Sequence, residues 1–408
     1  MNILFIHQFF TTEDEPGEVR HIAMFKYMLE KGYNFTIIGG ALDYMSGKLY
    51  PDFKGFLQEK ELIPGKIKLI RTYVTPTYRK GFIGKMLTYI SFLISSVIAS
   101  LRTGKFDMLL TTSPSLLTAL AGYIVSKIKG IPFILEIRDL WPKVAMEMGM
   151  VKNKFIIWIA EELELFLYRK AVRIIVITEG YADYIKSRGI SPSKINIVYN
   201  GVDECMLDYK PSDEIPEDLK VAEGKFTVMY AGAIGKFNYL EDLLKAVELI
   251  EEQEKFAFVF IGDGGERKNL INYAKEKNLN NIFFLGAKQR SEIPEYLSKA
   301  DLTVAIYPPI PTGKLLLQNK VLDFLSLGKA VILAAEEGGD TVRIILSAAC
   351  GIRVNKSPEA IAEKLVWASK NKELCEEMGK KGREYARVHL NRKKLACEMI
   401  NIFEAERI

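Results

Sequence analysis

The sequence is poor in the residues that metal, disulfide or nicotinamide chemistry would need. Its four cysteines (Cys205, Cys350, Cys375, Cys397) are scattered, with no pair at metal-ligand spacing and no disulfide framework, so a reducing cytoplasm is the expected compartment. The three histidines (His7, His21, His389) are equally dispersed. Gly-x-Gly-x-x-Gly, Asp-x-Asp and any His/carboxylate cluster are absent; this argues against a dinucleotide enzyme and leads us to expect no cofactor and a metal-independent site. No basic stripe interleaved with aromatics occurs, so nucleic acid is not an expected partner. Long apolar runs are also missing. Asn2 to Ile6 is too short for a signal peptide. In the most apolar segment, Lys80 to Arg102, the uncharged core from Met86 to Leu101 has 16 residues, short of the roughly 20 that span a bilayer.

What is present is bulk for two cores: 408 residues, 49% of them hydrophobic. The net charge of +5 fits an anionic partner such as a membrane surface or a phosphorylated substrate. Short apolar runs alternate with amphipathic ones, the pattern of parallel βα units. In the first half, strands are expected at Asn2–Ile6, Tyr33–Ile38, Phe106–Thr111, Pro132–Ile137, Arg173–Ile177 and Ile195–Tyr199. Pro16 and Gly17 mark the loop after the first strand. Gly17 could let backbone approach a donor phosphate or an acceptor, or could simply be a turn glycine. The strand 132–137 delivers Arg138 and Asp139, followed by Trp141-Pro142, to its carboxyl end, where open α/β sheets bind ligands; these are candidate site residues, and a salt-bridged turn is the alternative. The segment from Lys80 to Arg102 (KGFIGKMLTYISFLISSVIASLR) is flanked by Arg79, Lys80, Lys85 and Arg102. It reads either as a helix in the headgroup region of an anionic membrane or as a helix packed on the sheet.

Asn200-Gly201 is a strong turn signal, and Asp208 to Glu223 is polar and proline-bearing, so the linker is expected there. Beyond it, four strands each end in small or basic residues. Phe226–Tyr230 leads to Ala231-Gly232-Ala233-Ile234-Gly235-Lys236, and Phe256–Ile261 to Gly262. Asn281–Leu285 leads to Gly286-Ala287-Lys288, and Asp301–Ile306 to Tyr307 and three prolines. Gly235, Lys236, Gly262 and Lys288 are therefore candidate phosphate-side residues. Next comes KLLLQNKVLDFLSLGKAVILAA (Lys314 to Ala335): a helix from about Asn319 to Leu327, then a buried strand. Gln318 and Asn319 stand at the helix mouth, where free amides and the helix dipole favour an anion. Lys320 adds a cation, and Asp323 could grip a ribose diol. The two are three apart on the helix and could instead be a solvated pair. The tail from Pro358 is helical.

The series AGAIGK, FIGDGGE, FLGAKQ, SKADLTVA and QNKVLDFLSLGKAVI resembles the C-terminal domain of GT-B glycosyltransferases of the retaining family 4. EIRDLWPK, VYNGVD and GEVRHIAMFKYMLEKGYNFTII resemble that family's N-terminal domain and linker. The resemblance spans essentially the whole chain and is closest to the bacterial surface-polysaccharide branch. It implies two Rossmann-like, doubly wound parallel-sheet domains (residues 1–205 and 206–386) facing a cleft, with a terminal helix (387–408) crossing back. It implies Lys236 and Lys320 on the diphosphate, Asp323 on the ribose and the backbone around Lys288 beside the base. Gly17 would lie near donor phosphates or acceptor, and Asp139 near the transferred sugar. The implied activity is sugar transfer, of an N-acetylated amino sugar or a related sugar, from a nucleotide diphosphate to a glycan or polyprenyl-diphosphate-linked acceptor. The sequence departs from the family pattern at the helix mouth, where Gln318-Asn319 replaces the usual Pro-Ser, and at the family's carboxylates. Of its two glutamates seven residues apart, the second falls on Asp323 and the first on Leu315, with Glu336 or Glu337 as compensating carboxylates. A nucleotide-sugar epimerase of the same fold, and an inactive binding subunit, are the alternatives.

Overall fold

The computed structural model describes residues 1–13, 15, 20–44 and 46–407. The chain divides into two compact units, 1–199 with 393–408, and 200–392.

The first unit is built on an eight-stranded sheet in the order β3-β4-β2-β1-β5-β6-β7-β8. The strands are β1 (Asn2–Ile6), β2 (Asn34–Gly40), β3 (Leu57–Ile63), β4 (Ile67–Thr72), β5 (Met108–Ser113), β6 (Phe133–Ile137), β7 (Arg173–Val176) and β8 (Ile195–Ile197). All neighbours pair in parallel except β3 with β4. Strands β5 and β6 are buried end to end, and β1 from Ile3 onward, because helices cover both faces. Those helices are α1 (Arg20–Leu29), α2 (Gly81–Leu101), α3 (Leu116–Lys129), α4 (Lys143–Glu147), α5 (Lys154–Lys170) and α6 (Glu179–Ser187). The 57–72 hairpin escaped the sequence reading. Gln58-Glu59-Lys60-Glu61 has no apolar alternation, because β3 is an edge strand whose charges face water.

The second unit holds a six-stranded parallel sheet, β11-β10-β9-β12-β13-β14. Its strands are β9 (Phe226–Ala231), β10 (Phe256–Ile261), β11 (Ile282–Gly286), β12 (Leu302–Ile306), β13 (Val331–Ala334) and β14 (Gly351–Val354). Its helices are α7 (Glu204–Leu207), α8 (Leu240–Glu248), α9 (Arg267–Glu276), α10 (Ile293–Ser298), α11 (Asn319–Ser326), α12 (Asp340–Ser347), α13 (Pro358–Lys370) and α14 (Lys372–His389). The core is dense in Phe226, Phe256, Phe258, Phe260 and the aliphatic faces of α8 and α13.

The last helix, α15 (Arg392–Ala405), completes the first unit's core through Leu395, Ala396, Met399 and Phe403. Tyr33 Oη donates to Glu404 (2.6 Å) and Arg173 Nε to Glu406 (2.6 Å). The unit boundaries lie at 199/200 and 392/393 rather than 205/206 and 386/387. Residues 200–207 are held by the end of the 372–392 stretch: Val202 N donates to Leu390 O (2.7 Å), and Arg383 Nε donates to Leu207 O (2.7 Å).

Candidate functional site

In the second sheet the chain winds from β9 to β10 and β11, then returns to place β12 on the other side of β9. That reversal leaves an opening at the carboxyl ends of β9 and β12, the position where open α/β sheets bind ligands. The β9 turn (Gly232 to Lys236) and the β12 connection into α11 meet there.

Two glycines make the closeness possible. Gly232 has φ +149°, and a Cβ on it would lie 3.1 Å from Lys320 Cε; a Cβ on Gly262 would fall 1.9 Å from Gly232 O. The β9 and β10 loops are thereby zipped together, Ile234 N donating to Asp263 O at 2.9 Å. Lys320, in the first turn of α11, donates to Tyr230 Oη (2.6 Å) and Asn238 Oδ1 (2.6 Å), and sits 4.4 Å from the Tyr230 ring centroid. Among the described residues no carboxylate forms an ion pair with it, and burial pushes its amine down to about 7. A buried ammonium without a counter-anion is costly; an anion at the helix mouth would relieve that cost and find free first-turn amides as well.

The mouth of α11 carries a second unmet group. Gln318 Oε1 is buried and, among the described residues, has no hydrogen-bond partner. Its backbone is held by Tyr307, whose hydroxyl accepts from Gln318 N (3.0 Å) and meets Thr341 Oγ1 (2.8 Å). Asn319 Oδ1 accepts from Asn200 Nδ2 at 2.7 Å.

Lys320 and Asp323 do not form a solvated pair on the helix surface. Asp323 is only 8% exposed and is gripped by both terminal nitrogens of Arg290, at 2.5 and 2.6 Å. Arg290, two residues beyond Lys288 in the loop after β11, was missed in the sequence. A basic residue at a strand's carboxyl end was its only signal. Lys288 itself turns to Asp218 (2.5 Å) and the Tyr296 ring. Gly235 precedes the short turn that holds exposed Lys236 together with Asn238, the Lys320 partner. Leu315 ends the 3-10 turn Pro311–Leu315. Neither proposed substitute carboxylate stands free, since Glu336 pairs with Lys356 (3.3 Å) and Glu337 with Arg353 (3.1 Å).

In the first unit, chain reversal between β1 and β5 again marks the carboxyl edge. The sequence did not reveal the network found there. Arg20, the first residue of α1, is fully buried; it donates to Glu136 and to Val198 O (3.1 Å), and His21 Nε2 donates to Glu136 Oε2 (2.6 Å). Burial opposes the Glu136 charge, yet Arg20 and His21 hold its carboxyl well below the usual range. The His7 ring lies 5.1 Å from that of His21; burial, with the positive charge of His21 and Arg138, pushes His7 well below its ordinary value. Just beyond, burial lifts Asp139 to about 6 against the pull of Arg138, and burial lowers Arg138. Arg138 and Asp139 are thus beside a buried charge network. Gly17 lies outside the described residues. Among the described residues no group of three or more His, Cys, Asp or Glu is placed to hold a metal ion.

The family described as Glycosyltransferase Family 4 matches residues 18–204, and that described as Glycosyl transferases group 1 matches residues 211–385. An uncharacterised glycosyltransferase of Methanocaldococcus jannaschii is 24% identical over 308 residues, 73% of this chain and 75% of the relative. The colanic acid biosynthesis glycosyl transferase WcaI of Escherichia coli K12, so described as putative, is 19% identical over 93% of each chain. Among solved structures, Anabaena HepE in complex with UDP-glucose superposes with a TM-score of 0.70 at 16% identity, covering 99% of this chain and 100% of that one.

Proposed function

The chain belongs to the family 4, group 1 glycosyltransferases, with the GT-B fold, and from that premise we propose that it moves a sugar from a nucleotide diphosphate to an acceptor hydroxyl with retention of anomeric configuration. The observation that carries the proposal is Lys320: a buried amine at a helix mouth, against a glycine turn, with no carboxylate partner among the described residues.

In this reading the diphosphate lies on the amides of Asn319 and Lys320 and on the Lys320 amine, with Gly232, Gly235 and Gly262 allowing close approach and Lys236 adding charge. Asp323, oriented by Arg290, accepts from the ribose, and the backbone around Lys288 flanks the base. The bond from the sugar C1 to the diphosphate oxygen breaks, and the charge that develops on that oxygen is met by Lys320 and the helix dipole. The acceptor oxygen bonds to C1 on the same face, and its proton passes to the departing diphosphate. No metal is needed for that charge. Within the first unit, the carboxyl edge of the sheet, which carries Arg138 and Asp139, is the proposed acceptor-binding surface. UDP is the favoured donor nucleotide, because a UDP-glucose complex of a protein with this fold exists. The acceptor is a glycan or a lipid-linked intermediate of surface polysaccharide, the setting named for WcaI. The enzyme works in the cytoplasm, and residues 80–102 touch the anionic inner face of the membrane.

The test is transfer from a panel of UDP- and GDP-sugars by wild type, Lys320→Ala and Asp323→Ala. Loss in both variants supports the site; wild-type transfer by both refutes it. A second reading, an inactive binding subunit, rests on Leu315 in place of the family glutamate. Nucleotide binding without turnover by the wild type would favour it.

A further inference from the structure

We infer that α5 is a second membrane-docking arm, forming with α2 a platform that seats the first unit flat on an anionic bilayer. This rests on the proposed contact of residues 80–102 and adds an element that contact does not include.

The apolar surface is shared. On α2 the exposed residues Ile83 (75% exposed), Leu87, Ile90 and Ile94 recur at helical spacing and form one stripe. On α5, Phe155, Trp158 (56% exposed) and Ile159 are exposed at its first turns, with the Phe155 and Trp158 rings stacked at 6.0 Å. Large aliphatic and aromatic side chains in water on two helices of one layer are not accounted for by the unit's own core. The layer is one surface because α3 packs against both helices, and because α2, α3 and α5 each cross over in the same direction along the sheet, which right-handed connections place on one face.

The charge identifies the occupant. From Leu62 through Leu135 the chain has ten Lys or Arg and a single acid, Asp107. Lys80, Arg102, Lys105 and Lys127 are exposed around α2 and α3, and Lys152 and Lys154 at the start of α5; the acids of α5 begin only at Glu161. An apolar stripe rimmed by cations, with a tryptophan at its edge, matches a headgroup layer of anionic lipid.

The helix lies on the bilayer and does not cross it. By length and composition α2 is apolar enough to span. Its other face, however, is fastened to the unit: Thr88 Oγ1 donates to Thr75 O (2.7 Å), Thr75 N donates to Ser91 Oγ (2.9 Å), and Ser95 Oγ donates to Thr72 Oγ1 (3.0 Å). Crossing would break these bonds and strip the sheet of its cover.

The experiment is flotation of the full chain with phosphatidylcholine vesicles, with and without phosphatidylglycerol, for wild type, Ile83→Asp/Ile90→Asp, and Phe155→Ser/Trp158→Ser. Thermal melting checks that each variant folds, and UDP binding is read separately. The wild type should float with the anionic vesicles and lose binding as salt rises. Each double variant should partition at least about tenfold more weakly, from the apolar area removed. Tryptophan emission should shift to the blue on binding, and Trp158→Phe should abolish the shift. If only the α2 variant loses binding, the α5 arm is wrong while the proposed contact stands. If the wild type does not float, or floats equally with neutral vesicles, the platform is wrong, whatever UDP binding shows. Concentration-dependent dimerisation abolished by the α5 variant, without flotation, would assign the surface to a second copy instead.

Discussion

Arg290 holds Asp323 through both terminal guanidinium nitrogens, at 2.5 and 2.6 Å. A carboxylate gripped this way keeps acceptor capacity on its remaining lone pairs while its orientation is fixed. If Asp323 accepts from the ribose, Asp323→Ala weakens donor binding by about tenfold to a hundredfold, the worth of hydrogen bonds to a charged group. Arg290→Ala weakens it less, and the double variant loses less than the sum of the two. Calorimetric titration with UDP checks this; strictly additive losses would show that Arg290 does not act through Asp323.

If Lys320 meets the diphosphate, nucleotide binding is linked to protons. Burial pushes the Lys320 amine down from 10.5 to about 7, so near pH 8 it is mostly neutral in the free enzyme. A bound diphosphate favours the ammonium, so binding takes up close to one proton per site. Titrations in buffers of different ionisation enthalpy read that number. The same depressed value means that the unfolded chain binds more protons between about pH 7 and 10.5, so stability rises with pH across that window. Lys320→Met should remove that slope.

The Arg20–Glu136–His21 network predicts a large structural penalty. Glu136→Gln leaves the fully buried Arg20 without its counter-charge, which costs about 3–5 kcal/mol when one partner of a buried pair is removed. Urea unfolding measures it, and a cost below about 1 kcal/mol would mean that backbone acceptors alone satisfy Arg20.

The alternation of apolar runs made most strands and helices legible, and the strand ends pointed to the β9 turn and the α11 mouth. The partners that define the site were not legible. Tyr230 and Asn238 lie 90 and 82 residues from Lys320, Arg290 lies 33 from Asp323, and Glu136 lies 116 from Arg20. Only the winding of the two sheets brings them together. The edge strands β3 and β14 escaped because edge strands carry little apolar pattern, and the inner strand β4 was missed beside β3. The helix-spacing rule put Lys320 beside Asp323, and tertiary partners overrode it.

Glu164, in α5, gives an independent pH test. Burial lifts it from 4.5 to about 7, against hydrogen bonds from Tyr168 (2.9 Å) and Tyr184 (3.4 Å). A raised carboxyl makes the folded chain bind more protons between those values, so stability falls as pH rises through them. Glu164→Gln should raise Tm relative to wild type more at pH 8 than at pH 5. An equal difference at both pH values would contradict the shift.

Whether Lys320 receives a diphosphate is read from the affinity of the purified protein for UDP before and after Lys320→Ala, with melting used to confirm that the variant folds. UDP should bind the wild type, and the variant should bind at least about tenfold more weakly, the loss expected for one charge-assisted contact. Unchanged affinity in a folded variant would contradict that contact.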